Sequence, residues 1–244
     1  MLTRRIFVGL STHGLAALCG LLPFLKACAP QPSPAKNQPG GEDSATAPLD
    51  WATFLAGVDQ LALEQFSGAW DQEAYVEELA TLMRQLSPQD PTLLEELADA
   101  VGAIRNFPDI VTLVEGPDHS YDVAIVVFEE GEEIPLHDHP DMTGVILGIS
   151  GEVEIQSFDL LPELSPSGAL QLQRLAVRTV TPGLHATLTA DRGNIHSLRA
   201  ISRTELLDVF TPGYNQDRST RSKWFTRSST PVEGSTDIFE ARED

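Results

Sequence analysis

Apolar positions recur with helical spacing from Trp51 to about Ile104. In WATFLAGVDQLALEQF, Phe54, Val58, Leu61 and Phe66 fall three to five residues apart and share one helix face. EAYVEELATLMRQL repeats the period with Tyr75, Leu79, Leu82 and Leu86. Ser87-Pro88 ends this helix, because proline lacks the N–H that the ladder needs. Asp90-Pro91 opens a third helix over TLLEELADAVGAI, which Gly102 weakens. These helices read as a packing layer without chemistry of their own.

The pattern changes after Pro108. DIVTLVEG and YDVAIVVFEEG are rich in β-branched and aromatic residues and are separated by turn formers. TGVILGI, EVEIQSFDLL, LQRLAVRTVT, HATLTA, HSLRAI, ELLDVFTP and KWFTR continue in the same way. Many short strands with Gly and Pro between them and no intervening helix predict a sandwich or a small barrel. No repeat of roughly 20–50 residues is present.

The first residues follow neither pattern. Arg4 and Arg5 stand next to Phe7, ahead of an apolar stretch from Ile6 to Leu25. This is similar to a twin-arginine export signal, with a single membrane anchor as the alternative. Leu25-Lys26-Ala27-Cys28 resembles an imperfect lipidation box, with Lys26 off the pattern, so Cys28 is a candidate membrane tether. The Pro-, Gly- and Ser-rich run that follows has linker composition. The expected organisation is an export signal at 1–28, a flexible linker at 29–50, a helical segment at 51–104, a barrel domain at 105–228 and a C-terminal tail at 229–244. The expected location is periplasmic or cell-envelope, as a monomer.

Two counts narrow the chemistry. Cys19 and Cys28 are the only cysteines. Beyond residue 28 the chain can form no disulfide, thiolate metal site or cysteine nucleophile, so any metal is held by nitrogen and oxygen. The net charge is -20, from 36 acids against 16 bases. Such a surface repels nucleic acid and anionic lipid.

Candidate chemistry centres on IPLHDHPDMT. On a strand, residues i and i+2 share a face, so His137 and His139 would project together. Asp138 then points away, as a surface or supporting group. Gly131 and Gly151 flank the pair in a way that resembles the first motif of the cupins, small double-stranded β-helix barrels that hold a metal in their mouth. The glutamate common about four residues after the second cupin histidine is absent; Asp141 to Gly144 occupy that stretch. RGNIHSLRA supplies His196 on a later strand. The candidate site is thus three histidines without a carboxylate, related to the two-histidine, one-carboxylate site of non-heme iron oxygenases. A third imidazole in place of the carboxylate makes the site one charge more positive and better suited to a thiolate. Three histidines also suit hydrolytic zinc, so the donors alone leave the metal open.

IPLHDHPDMT with GEVEIQSFD, and GNIHSLRAI with LLDVFTPGY, resemble the two metal motifs of the plant cysteine oxidase and cysteamine (2-aminoethanethiol) dioxygenase family, over about Ile110 to Phe225. The resemblance implies a mainly β cupin barrel, Fe(II) as cofactor, and O2 insertion into the sulfur of a small aminothiol or of an N-terminal cysteine in a peptide. It implies His137, His139 and His196 as iron ligands. It implies that Asp208 orients a ligand or the substrate amine, and that Tyr214 donates a hydrogen bond to bound oxygen. The missing barrel cysteines exclude a thioether-linked Cys–Tyr pair. Two other readings stand beside this one: a non-catalytic metal- or ligand-binding envelope cupin, and another cupin enzyme using zinc or manganese. His185, His119 and His13 have no expected ligand role.

Overall fold

The computed structural model describes residues 47–104, 108–214 and 221–244. The expected export signal and nearly all of the expected linker lie outside them. Among the described residues no helix is long and apolar enough to cross a membrane.

Three helices come first: α1 (Trp51–Ala62), α2 (Gln72–Gln85) and α3 (Pro91–Ala103). Each starts on an aspartate whose carboxylate accepts first-turn amides: Asp50 from Thr53 at 2.7 Å, Asp71 from Ala74 at 3.1 Å, and Asp90 from Thr92 and Leu93 at 2.9 and 3.0 Å. Such caps satisfy donors that have no intrahelical partner. Most of the period read from the sequence is the buried face: Phe54 and Val58 on α1, Tyr75 and Leu79 on α2 and Leu86 just past it, with Met83 buried and Leu82 only partly so. Leu61 is partly buried against the same core, whereas Phe66 departs from it. Phe66 lies on a 3-10 turn (Leu63–Phe66) and is 69% exposed.

The remainder is β. The strands are β1 (Asp109–Glu115), β2 (Asp122–Phe128), β3 (Glu133–His137), β4 (Thr143–Ser150), β5 (Val153–Leu160) and β6 (Leu170–Val180). They continue with β7 (His185–Leu188), β8 (Ile195–Ala200), β9 (Thr204–Thr211), β10 (Phe225–Arg227) and β11 (Ile238–Glu243). They form a five-stranded sheet, β1-β2-β9-β4-β7, and a six-stranded sheet, β10-β11-β6-β5-β8-β3, with every pair antiparallel. This is the expected mainly β barrel with an N-terminal helical segment. Gly151 makes the turn between β4 and β5 at φ 72°, and a Cβ there would stand 2.0 Å from the carbonyl oxygen of Arg203.

Strand alternation separates two cores. Val123, Ile125 and Val127 of β2, Val145 and Leu147 of β4, and Leu207 and Val209 of β9 pack with the helices. The intervening residues Val126, Phe128, Ile146 and Leu206 turn inward to meet Val153, Ile155, Leu198 and Ala200 of the other sheet. This apolar plug fills one part of the barrel, while His196, Asp208 and Phe210 line a cavity beside it.

The stretch 229–244, expected as a tail outside the barrel, instead supplies β11, paired with β6 in register. Phe239 and Ala241 alternate inward onto Leu172 and Phe158. The guanidinium groups of Arg174 and Arg227 lie 5.1 and 4.5 Å from the Phe239 ring centroid.

Candidate metal centre

His137 is the last residue of β3, and His196 faces it in register on neighbouring β8. His139 lies past the strand end, in the loop leading to β4. Period-two alternation therefore does not by itself bring the pair together. The loop does so because Asn194, two residues before His196, holds it. Its carbonyl oxygen accepts the His139 amide at 2.7 Å. Its Nδ2 donates to the carbonyls of His139 at 3.0 Å, Met142 at 3.3 Å and Thr189 at 3.0 Å. Asp141 completes the turn at φ 59°, a region that aspartate tolerates better than most residues.

The outcome is a tight trio. Ring centroids are 4.7 Å apart for His137–His139, 4.7 Å for His137–His196 and 4.9 Å for His139–His196. Each ring offers one nitrogen, and these atoms lie within 4.8 Å of one another. Pro135 accepts a hydrogen bond at 2.8 Å from Nδ1 of His137; a carbonyl can only accept, which leaves the Nε2 lone pair free. Nδ1 of His139 meets the Tyr214 hydroxyl at 2.8 Å. Metal-binding histidines are commonly oriented through their second nitrogen in this way.

Aromatic rings hold the trio from outside. Phe210 stacks on His139 at 4.4 Å and 30°. Gly144 makes room for it, since a Cβ there would stand 2.8 Å from the Phe210 ring. Trp224 stacks on His137 at 4.9 Å and 23°. Asp138, pointing away from the centre as expected, anchors this ring: its carboxylate accepts the Lys223 amide at 2.6 Å, and its own amide donates to the Lys223 carbonyl at 3.1 Å.

Tyr214 is 43% exposed, yet its hydroxyl end is turned inward to His139. The hydroxyl thus sits on the His139 imidazole rather than facing the open side of the trio. Burial, followed by the carboxylates of Asp208 and Asp122, pushes its ionisation far up, so it stays a neutral phenol. Two bonds seat this segment. The Tyr214 amide donates to Asp122 at 2.6 Å, and the Gly213 amide donates to the carbonyl of His119 at 2.9 Å. Asp118 and His119 both have positive φ, 52° and 57°, so the supporting turn is strained.

Burial sets the charge state of the trio. It holds the His139 imidazole well below its usual range, with further depression from His196 and His137. It takes His196 down to about 3, with His137 adding to the shift. It lowers His137 against the opposing pull of the Pro135 carbonyl. Three neutral imidazoles thus present lone pairs at neutral pH. Nδ1 of His196 is sealed from solvent and no side chain bonds it among the described residues, while the backbone of Asn194 opposes the fall in its basicity. Three neutral imidazole nitrogens this close together make a donor set that fits a metal ion.

Asp208 lies on the inward face of β9, on the wall of a cavity of about 280 Å³ shared with His196, Phe210, Ile155 and Leu198. Burial pushes its carboxyl up to about 8, opposed by the backbone N–H of Val209. Its carboxyl makes no side-chain hydrogen bond to an imidazole among the described residues, so it bears on whatever enters the cavity rather than on the ligands. His185 stands apart from the trio, with Nδ1 3.3 Å from an Arg84 guanidinium nitrogen. The sequence reading passed over Asn194, Asp122, Phe210 and Trp224. Asn194 and Phe210 stood inside the quoted motifs. Asp122 leads an otherwise apolar strand, and that was its signal; Trp224 carried none.

These features define a β-barrel protein with a three-histidine, metal-compatible centre at the cavity. The chain belongs to the PCO_ADO family, whose model matches residues 82–244. It is 25% identical over 154 residues to plant cysteine oxidase 2 of Arabidopsis thaliana, covering 61% of this chain and 56% of that protein. It is 27% identical over 163 residues to 2-aminoethanethiol dioxygenase of Mus musculus, covering 57% of this chain and 62% of that one. The chain thus spans about three fifths of the length of these relatives. Among solved structures, an RmlC-like cupin protein from Desulfovibrio desulfuricans is 19% identical, with 46% of this chain and 92% of that one covered and a TM-score of 0.32.

Proposed function

We propose that this chain is an Fe(II)-dependent thiol dioxygenase. It would join a small aminothiol or an N-terminal cysteine with O2 to give the sulfinic acid, both oxygen atoms going to sulfur (RSH + O2 → RSO2H). The observation that carries the reading is the trio of His137, His139 and His196, neutral and oriented, opening beside a cavity whose wall bears one buried carboxyl. Family membership supports the same chemistry.

His137, His139 and His196 would hold the iron, which supplies the redox chemistry that couples a thiol to O2. With no carboxylate among these ligands the centre keeps its positive charge, which favours a sulfur bound as thiolate. Asp208 lies where a substrate amine can reach it, and a cationic amine would favour its ionised form. Tyr214 and the Pro135 carbonyl keep two ligand rings turned to the centre. The apolar plug beyond the cavity excludes bulk water.

The test is incubation of the protein with Fe(II), O2 and cysteamine or a Cys-initiated peptide. A gain of about 32 Da on the thiol is expected, and intact thiols with iron bound would overturn the assignment. Zinc or manganese in protein purified under argon would favour the other cupin chemistries. Bound metal without O2 consumption would favour a binding protein. The proposal also takes the chain to be exported through Arg4 and Arg5, tethered at Cys28 and monomeric. Cell fractionation with an Arg4→Lys, Arg5→Lys variant tests the export step.

A further inference from the structure

The cavity wall is partly foreign to the stretch that carries the family match. Residues 82–244 match the family model, but Glu73 and Glu77 of α2 line the same cavity as His196 and Asp208. They stand four residues apart on one helix face. Arg178 of β6 and Arg192 of the loop before β8 also line it. Among the described residues none of these four side chains makes an ion pair or a hydrogen bond. Charges of both signs are thus gathered at one cavity without a direct ion pair between them.

The rim is held in place. Gln72, next to Glu73, accepts the Thr143 hydroxyl at 2.8 Å and the Ala190 amide at 2.8 Å. This fixes the first turn of α2 to β4 and to the Thr189–Arg192 turn. That turn is closed by Thr189 and Arg192 amides at 3.0 Å each, and Thr189 is tied to Asn194. At the base, Asp208 is only 7% exposed and its carboxyl has no side-chain partner.

We infer that Glu73, Glu77, Arg178 and Arg192 form a two-signed specificity rim that reads the part of a thiol substrate beyond its sulfur and amine. The inference rests on the thiol dioxygenase reading and deepens it. A bare aminothiol is about three bonds from sulfur to nitrogen, so one bound at the trio engages Asp208 and stops short of the exposed rim. A Cys-initiated peptide carries its next residues out between the two glutamates and the two arginines. Basic groups there would meet Glu73 and Glu77, and acidic groups or a free carboxylate would meet Arg178 and Arg192. Charged rims act by attraction and by rejecting like charge.

The test pairs turnover with binding. Wild type, Glu73→Gln/Glu77→Gln and Arg178→Gln/Arg192→Gln are compared on cysteamine, a Cys-initiated peptide with lysines at its second and third positions, and the same peptide with aspartates there. Peptide affinity of the iron-loaded proteins is measured by calorimetry under argon, independently of turnover. The glutamine-for-glutamate variant is expected to lower the lysine-peptide to cysteamine ratio of kcat/KM, and lysine-peptide affinity, about tenfold. The glutamine-for-arginine variant is expected to do the same for the aspartate peptide. Parallel changes for all substrates, unchanged ratios, or a wild type that binds neither peptide would overturn the rim. Charge-dependent peptide binding without oxidation would leave the rim standing and remove the dioxygenase reading instead.

Discussion

Asn194 concentrates more of the centre than any ligand does. Its amide satisfies three carbonyls and one N–H, so it fixes the loop bearing His139 from a point two residues before His196. Asn194→Ala is expected to weaken metal affinity about 10–100-fold, the range typical of outer-shell partners, in an anaerobic metal titration. Tyr214→Phe keeps the ring but removes the hydroxyl on His139, and should give a smaller loss. Trp224 offers a direct readout. It lies flat on His137, so Fe(II) or Co(II) binding should change tryptophan emission, and Trp224→Phe should abolish the response that Trp51 and Trp70 cannot give. Asp208 sets a pH signature. Its native value of about 8 lies above the ordinary carboxyl value of about 4, so between these limits the folded state holds a proton that the unfolded chain has lost. Its contribution to stability is complete below about pH 4, falls as pH rises through the window, and is gone above about 8. Urea unfolding of the metal-free protein at several pH values should show stability falling with pH more steeply in wild type than in Asp208→Asn.

At the scale of elements, α2 joins the helical layer to the barrel. Leu79 is fully buried, and Tyr75 donates to or accepts from Thr211 at 2.5 Å at the end of β9. Leu79→Ala should cost about 2–5 kcal/mol in denaturant unfolding, the usual range for an emptied core site. Element type was legible in the sequence wherever a face is buried. The 3.6-residue period of Tyr75 and Leu79 and the β-branched run of β2 both report burial. What was not legible is pairing. Residues 229–244 read as a tail because Ile238–Glu243 is short and flanked by polar residues, and only contact with β6 and Phe158 makes it a strand. The His137–His139 spacing likewise predicted a shared face for the wrong local reason, since a side chain 55 residues away holds the second histidine. The three histidines that the fold brings together were readable from two motifs. Asn194 was not, because a residue that hydrogen-bonds distant backbone leaves no periodic mark, and Asp122 showed only as the acidic head of an apolar strand.

For the whole molecule the formal charge is -20, and the ion pairs Arg203–Glu129, Lys223–Glu243 and Arg242–Asp244 all join exposed side chains. Self-repulsion therefore opposes compaction and pairing does little to relieve it. Raising sodium chloride from about 10 mM to about 0.5 M should raise the thermal midpoint, because the screening length shrinks several-fold. A neutral-surface protein of similar size should show a weaker response.

The Gln72 anchor has a consequence for descent as well as for mechanism. Ligands sit on β3, β8 and the loop between β3 and β4, whereas half of the rim rides on a helix turn fastened by one amide side chain. If the proposed rim reads substrates, substitutions on the outer turns of α2 would alter what the cavity admits without moving an imidazole. On that reading, lineages carrying this architecture would diverge in diet while inheriting the same furnace.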